Sequence, residues 1–257
     1  MSSTDHHNEQ LDTVDRLAYE MSQQSYLAPE KRAMYVQGYA LDKEMSNTDT
    51  AVYHNHATKK THVSNRGSTS AYDWAVSDGQ ILAGAEGYGS RFDRAVKQTT
   101  KAHDKHGYNV STSGHSLGGA VSSYTTEKLA DEDWYDEGTG LNPGVSSLGR
   151  GMYLSKQKRV CRGKNPPKYC SKQTSIYQEG DYVGGRNIAC AAITLGLGGK
   201  MCRKSNAFGK NKYYKHDQKK RTSLDQALYG YLIPNFVNNG KNHSLDNFKK
   251  GAPRPRG

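Results

Sequence analysis

Apolar positions recur at helical spacing in residues 9 to 23. Leu11, Val14, Ala18 and Met21 fall on one stripe among charged neighbours, which predicts an amphipathic helix packed against a core. Residues 50 to 56 and 61 to 64 are rich in Thr, Val and Tyr and flank Ala57-Thr58-Lys59-Lys60, so they read as two hairpin-joined strands. Helical spacing returns over residues 89 to 106, with Phe92, Ala95, Val96 and Ala102 on one face and His106-Gly107 as a stop. A strand over 108 to 113, a Gly-rich turn at 114 to 120 and a helix over 121 to 130 follow. A further strand-like run at 174 to 177 leads into Gln178-Glu179-Gly180-Asp181. Strands alternating with helices, with no internal repeat, predict a mostly parallel sheet in one α/β domain.

Composition qualifies that picture. Leu, Ile, Val and Phe make up only 37 of 257 residues, below the roughly 20 percent expected of an ordinary core. The 18 Tyr and 20 Ala compensate, because a tyrosine ring fills a core while its hydroxyl finds a polar partner. A folded domain with a thin core is the expectation. The longest apolar stretch, Ile188 to Leu197, falls well short of the roughly 18 residues of a spanning helix. The first ten residues carry neither the basic start nor the apolar centre of a signal peptide. The expectation is a chain without a transmembrane segment or Sec-type export, located in the cytoplasm.

Charge divides the chain. Residues 1 to 150 hold 14 Lys and Arg against 20 Asp and Glu, a net of −6; residues 151 to 257 hold 22 against 5, a net of +17. The C-terminal part is therefore suited to an anionic partner, a membrane surface first and nucleic acid as the alternative. Basic stretches near 156–172 and 200–221 read as insertions, and residues 251–257 as a disordered basic tail. Cys161, Cys170, Cys190 and Cys202 lack the spacing of a zinc knuckle; two local disulfides are geometrically conceivable, reduced thiols are the default in the absence of a secretion signal, and the three possible pairings stay open. His54, His56 and His62 alternate along the hairpin and read as exposed strand residues rather than metal ligands. No phosphate loop or dinucleotide fingerprint occurs, so neither cofactor nor metal is expected.

The chemistry resides in Gly114-His115-Ser116-Leu117-Gly118-Gly119. A serine hydroxyl is a poor nucleophile until it has an adjacent base, an exposed position and donors for the oxyanion it creates. A G-x-S-x-G turn between strand and helix supplies the position, because its glycines remove side chains where the turn is crowded. The Leu117 amide would then receive the oxyanion. In this architecture the acid and then the histidine follow the serine in the chain. His216 and His243 both leave room for an acid between. His216 lies among lysines that oppose an imidazolium, which favours His243. Asp181 ends a strand in a Gly-flanked turn, whereas Asp131, Asp133 and Asp136 form a polar cluster directly after the turn's helix. Asp181 is the better orienting carboxylate.

With these residues the sequence resembles the class 3, or fungal-type, lipases of the α/β-hydrolase superfamily. Arg66-Gly67-Ser68 followed by Asp73-Trp74 is similar to that family's R-G-[ST] oxyanion segment and D-W pair. Glu86-Gly87-Tyr88 resembles its helix entry, Gly114 to Ala120 its nucleophile elbow, Asn142-Pro143-Gly144 the strand end of its bacterial and viral relatives, and Gly180-Asp181-Tyr182-Val183 its acid turn. The resemblance spans roughly residues 10 to 248 and implies an α/β-hydrolase fold, a mostly parallel central sheet flanked by helices, over residues 1–250. It implies Ser116 as nucleophile, Asp181 as orienter, His243 as general base, and Ser68 with Leu117 as oxyanion donors. The implied activity is cleavage of carboxylic esters of lipids, with phospholipase A1 action on anionic phospholipid, or a basic nucleic-acid or virion-interaction role on a lipase fold, as alternatives. A virus-encoded member would be virion-associated. Between Ser68 and Glu86 the large aliphatic or indole groups are Trp74, Ile81 and Leu82, which argues against a large apolar lid.

Overall fold

The computed structural model describes residues 13–67, 90–143, 160, 161, 163–178 and 210–214. Among them, eight strands form one sheet in chain order: β1 (Tyr35–Val36), β2 (Tyr39–Leu41), β3 (Thr50–Asn55), β4 (Lys60–Asn65), β5 (Asn109–His115), β6 (Tyr135–Leu141), β7 (Gln173–Gln178) and β8 (Lys210–Tyr214). β1 to β4 are an antiparallel meander. From β4 onward every neighbour is parallel, so the carboxyl ends of β4 to β7 share one edge of the sheet. Helices α1 (Thr13–Tyr26), α2 (Ser90–His106) and α3 (Leu117–Leu129) cover it.

Strand alternation sorts the core into two faces. Ala51 and Tyr53 of β3 join Met21 and Leu17 of α1, together with Val36, Tyr39 and Leu41. Val52, one residue out of phase, joins Val63, Val110 and Ala102 of α2 on the opposite face. α2 and α3 meet through Phe92, Ala95, Leu117 and Val121. The scarcity of aliphatic side chains is met by buried hydroxyls. Beneath α3, Tyr135 Oη lies 2.7 Å from Thr112 Oγ1 and 2.8 Å from Thr126 Oγ1, and Thr112 Oγ1 is 2.8 Å from Ser122 Oγ. Burial pushes the Tyr135 phenol well above its ordinary value. Beneath α1, the buried His62 ring lies 2.8 Å from both Ser111 Oγ and Ser113 Oγ. Ser113 Oγ in turn receives Ser22 Oγ and donates to Ser64 Oγ, each at 3.2 Å. Burial drives the His62 pKa down to about 3.

The predicted helices and strands are present with shifted ends: α1 begins at Thr13 and runs to Tyr26, and α3 begins at Leu117, directly after the serine. β6 has no counterpart in the hydrophobic pattern. Its sequence Tyr-Asp-Glu-Gly-Thr-Gly-Leu has bulk only at its two ends, because α3 lies close to its centre; a Cβ at Gly138 would sit 2.0 Å from Thr126 Oγ1. β8 arises inside the stretch at 200–221 read as a basic insertion and pairs with β7 along Thr174 to Gln178. The reduced-thiol expectation fails at one pair. Cys161 and Cys170, with Cα atoms 5.5 Å apart, form a disulfide, a separation within ordinary bridging reach. Cys190, Cys202 and the tail at 251–257 lie outside the described residues. Among those described, no helix is long and apolar enough to cross a membrane.

Candidate functional site

β5 ends at His115 and α3 begins at Leu117, leaving Ser116 as the single residue that reverses the chain. Its backbone takes φ 56° and ψ −124°, left-handed territory that costs a non-glycine residue about 1–3 kcal/mol. The surroundings enforce this conformation. The Ser116 amide donates to the Leu141 carbonyl at 3.0 Å, and its own carbonyl accepts from the Ala120 amide at 3.1 Å, so β6 and the first turn of α3 hold it from both sides. The glycines allow the close approach: a Cβ at Gly114 would stand 2.2 Å from the Gly118 carbonyl, and one at Gly118 would stand 2.1 Å from the Asn65 carbonyl. The G-x-S-x-G spacing is thus the sequence record of β4, β5 and α3 meeting backbone to backbone.

Leu117 buries its side chain against Phe92 and Val121. As the first residue of α3 its amide lies outside the intrahelical ladder. The chain leaving β4 passes beside this turn. A Cβ at Gly67 would lie 2.6 Å from the His115 carbonyl and 1.9 Å from Tyr26 Oη. Arg66 is clamped just before it: its amide donates to the Asp49 carbonyl at 2.9 Å, its guanidinium reaches the Asp49 carboxylate at 3.2 Å, and its carbonyl accepts from the Arg91 guanidinium. The segment that leads into Ser68 is therefore fixed by three contacts. On the other side, the Asn142 amide donates to the Ile176 carbonyl at 2.7 Å, joining the end of β6 to β7, whose last residue, Gln178, precedes Asp181 in the chain.

Of the five predicted site residues, Ser116 and Leu117 are together at the turn. Ser68, Asp181 and His243 lie outside the described residues, as do Tyr72, Asp73, Trp74, Glu86 and His216. His115 packs beside the turn, 5% exposed, with Nδ1 2.8 Å from Tyr26 Oη. Nothing in the hydrophobic pattern marks Tyr26 or Asp49 as part of this site, because both reach it only through the tertiary fold. Of the three hairpin histidines, expected to be exposed, His54 and His62 are buried and only His56 is exposed. His62 pairs in register with Tyr53 and His54 with Thr61, so His54 and His62 point to opposite faces of the sheet, whereas His54 and His56 share a face with ring centroids 6.2 Å apart.

No family model matches the sequence, and neither does any curated protein. Solved structures do. Lip2 lipase from Yarrowia lipolytica superposes with a TM-score of 0.52 at 14% identity, covering 92% of this chain and 93% of that one. A mutant form of MDLA from Penicillium cyclopium gives 0.50 at 13% identity, over 95% and 99%. A triacylglycerol lipase described as having a serine protease triad at its catalytic centre gives 0.50 at 15% identity, over 82% of each chain. The chain has the α/β-hydrolase fold of these fungal-type lipases.

Proposed function

We propose that the chain is a serine hydrolase that cleaves carboxylic ester bonds of lipids. The observation that carries this reading is the strained Ser116, placed alone between a central parallel strand and the amino end of a helix. A structural turn at this position would take glycine, which carries no steric penalty there; a serine in that backbone is accounted for where its hydroxyl reacts. In the reaction, His243 takes the Ser116 proton as Oγ attacks the ester carbonyl, Asp181 holds the imidazole in the required tautomer, and the amides of Leu117 and Ser68 receive the oxyanion. The imidazolium then protonates the leaving alcohol, and water, deprotonated by His243, releases the fatty acid from the acyl-enzyme. The clamp of Asp49 and Arg91 on Arg66 would hold the Ser68 amide in place; an oxyanion donor is typically worth about 100- to 1000-fold in rate. The test is a serine-directed fluorophosphonate with peptide mapping. Label on Ser116, and loss of p-nitrophenyl butyrate hydrolysis in Ser116→Ala, support the reading; unchanged hydrolysis by that variant overturns it.

A phospholipid substrate is the second reading, and a specific feature favours it. A cleft of about 430 Å³ is lined by Arg91, Arg94, Lys97 and Lys101, one stripe of α2, together with Asn65 at the end of β4 and Asp49. Cations that line a cleft beside the elbow suit a phosphate-bearing headgroup, in keeping with the +17 of residues 151 to 257. Hydrolysis of vesicles should then increase with phosphatidylglycerol content and fall with salt. A salt-dependent shift of DNA without any such vesicle dependence would favour the nucleic-acid alternative instead.

A further inference from the structure

We propose that Asp42, His54 and His106 form a binding site for a divalent transition metal of the zinc class. The site lies at the opposite end of the sheet from Ser116. His54 pairs with Thr61, and Thr61 with Val110 near the start of β5, which places it about 20 Å from the elbow at roughly 3.3 Å per strand residue. It is independent of the ester-hydrolase reading.

Three segments remote in sequence converge there. Asp42 follows β2, and its backbone amide is fixed to the Val52 carbonyl at 2.9 Å. Its Oδ1 accepts from the Met45 amide at 3.0 Å, which aims Oδ2 at His54 Nε2, 2.8 Å away. The other ring nitrogen of His54, Nδ1, lies 2.7 Å from Thr61 Oγ1, a hydroxyl that accepts from Nδ1–H once Nε2, now facing the Asp42 carboxylate, releases its proton to bind the metal. His106 ends α2 and sets its ring edge-on to His54, with centroids 4.5 Å apart, while Tyr108 stacks on its other side at 5.2 Å. One ring nitrogen of each histidine and one carboxylate oxygen all lie within 4.8 Å of one another. Ligands of tetrahedral zinc, at bond lengths of about 2.0–2.2 Å, are separated by about 3.4 Å, so closure requires only a small shift of the exposed His106 ring. Two imidazoles and a carboxylate suit zinc, cobalt and nickel ions, with a fourth position for water. Lys105 occupies Asp42 Oδ2 at 2.8 Å and also holds Glu44 at 2.9 Å. On binding, the cation displaces this ammonium, which stays with Glu44.

The experiment uses the full, tag-free chain after removal of metal with a chelator. Titration with zinc chloride should show one equivalent bound, and the Tm should increase as zinc is added, because an ion that binds only the folded form stabilises it. Cobalt(II) should give visible absorption bands of a four-coordinate site. His106→Ala, at an exposed helix end, should weaken zinc by more than about tenfold, given that even an outer partner is worth about 10- to 100-fold. Lys105→Met should tighten it by removing the competitor. The proposal is overturned by absence of stoichiometric zinc binding, by wild-type affinity in His106→Ala, which would place the metal elsewhere, for instance at His6 and His7, or by weaker binding in Lys105→Met.

Discussion

The hydroxyl of Tyr26 stands 2.8 Å from Nδ1 of His115, so the last residue of α1 is bonded to the last residue of β5, one position before Ser116. The same hydroxyl closes over Gly67, where a side chain could not fit. Tyr26→Phe keeps the ring and removes the bond. The expected loss is about 1 kcal/mol, a Tm decrease of about 2–4 °C in a chain of this size. Ester turnover should decrease at temperatures where the variant is still folded, because the support beneath the turn is gone. Circular-dichroism melts paired with p-nitrophenyl butyrate kinetics measure both; an unchanged Tm would show that the bond contributes nothing.

Gly118→Ala sets a new Cβ against the Asn65 carbonyl at 2.1 Å, with backbone rather than a rotatable side chain as the obstacle. Overpacking of this kind costs about 1–3 kcal/mol, and here it would also separate β4 from α3 and eliminate turnover. Gly107→Ala is the control. Its Cβ would meet nothing within 4 Å, but its φ is +66°, so it should lose about 1–2 kcal/mol from backbone strain alone and retain full specific activity. Urea unfolding with parallel activity assays separates the two cases.

The strand–turn–helix around Ser116 was legible in the sequence because its spacing is set locally: Gly114 and Gly118 stand where backbone meets backbone, and no long-range contact is needed to see a strand, a turn and a helix in succession. Phe92, Ala95 and Ala102 likewise announced α2 through periodicity. β6 was illegible because a central strand pressed against α3 carries Gly138 and Gly140 in place of alternating bulk. β1 and β2 are too short to show a period, and Lys210 to Tyr214 hid a strand in a run of charge. Contacts such as Asp49 with Arg66, or Asp42 with His54 and Lys105, join segments apart in sequence and leave no local pattern.

Ser116→Gly relieves the left-handed backbone while removing the hydroxyl. A gain on the order of 1 kcal/mol is expected, since the released strain of about 1–3 kcal/mol exceeds the roughly 0.5–1 kcal/mol entropic penalty of glycine. Ser116→Ala keeps the strained φ and should gain little. Both should be inactive. Chemical denaturation of the three proteins side by side tests the order; equal stability of the glycine and alanine variants would remove backbone strain as a factor.

His62 sets an acid limit on the fold. Its imidazole takes up a proton near pH 6.5 in the unfolded chain but only near pH 3 in the native state, because burial among Ser111, Ser113 and the sheet opposes the charge. Between those values the unfolded chain binds the extra proton, so stability falls as pH decreases, by up to about 1.4 kcal/mol per pH unit, and this contribution is flat above about pH 6.5. In His62→Gln the dependence between pH 6 and 4 should become shallower by that amount. Urea midpoints collected across the range measure it; identical slopes in the two proteins would locate the acid sensitivity in other groups.

The buried hydroxyls at Ser22, Ser64, Thr112, Ser113, Ser122 and Thr126 bear on how the protein responds to temperature. Apolar surface raises the heat capacity of unfolding when it is hydrated, and polar surface lowers it. An interior filled with Ser, Thr and Tyr therefore gives a smaller increment than a Leu-rich interior of equal size, and a shallower curve of free energy against temperature. Such a molecule is expected to lose stability slowly on either side of its optimum, a breadth that would derive from the same scarcity of aliphatic carbon that makes its interior thin.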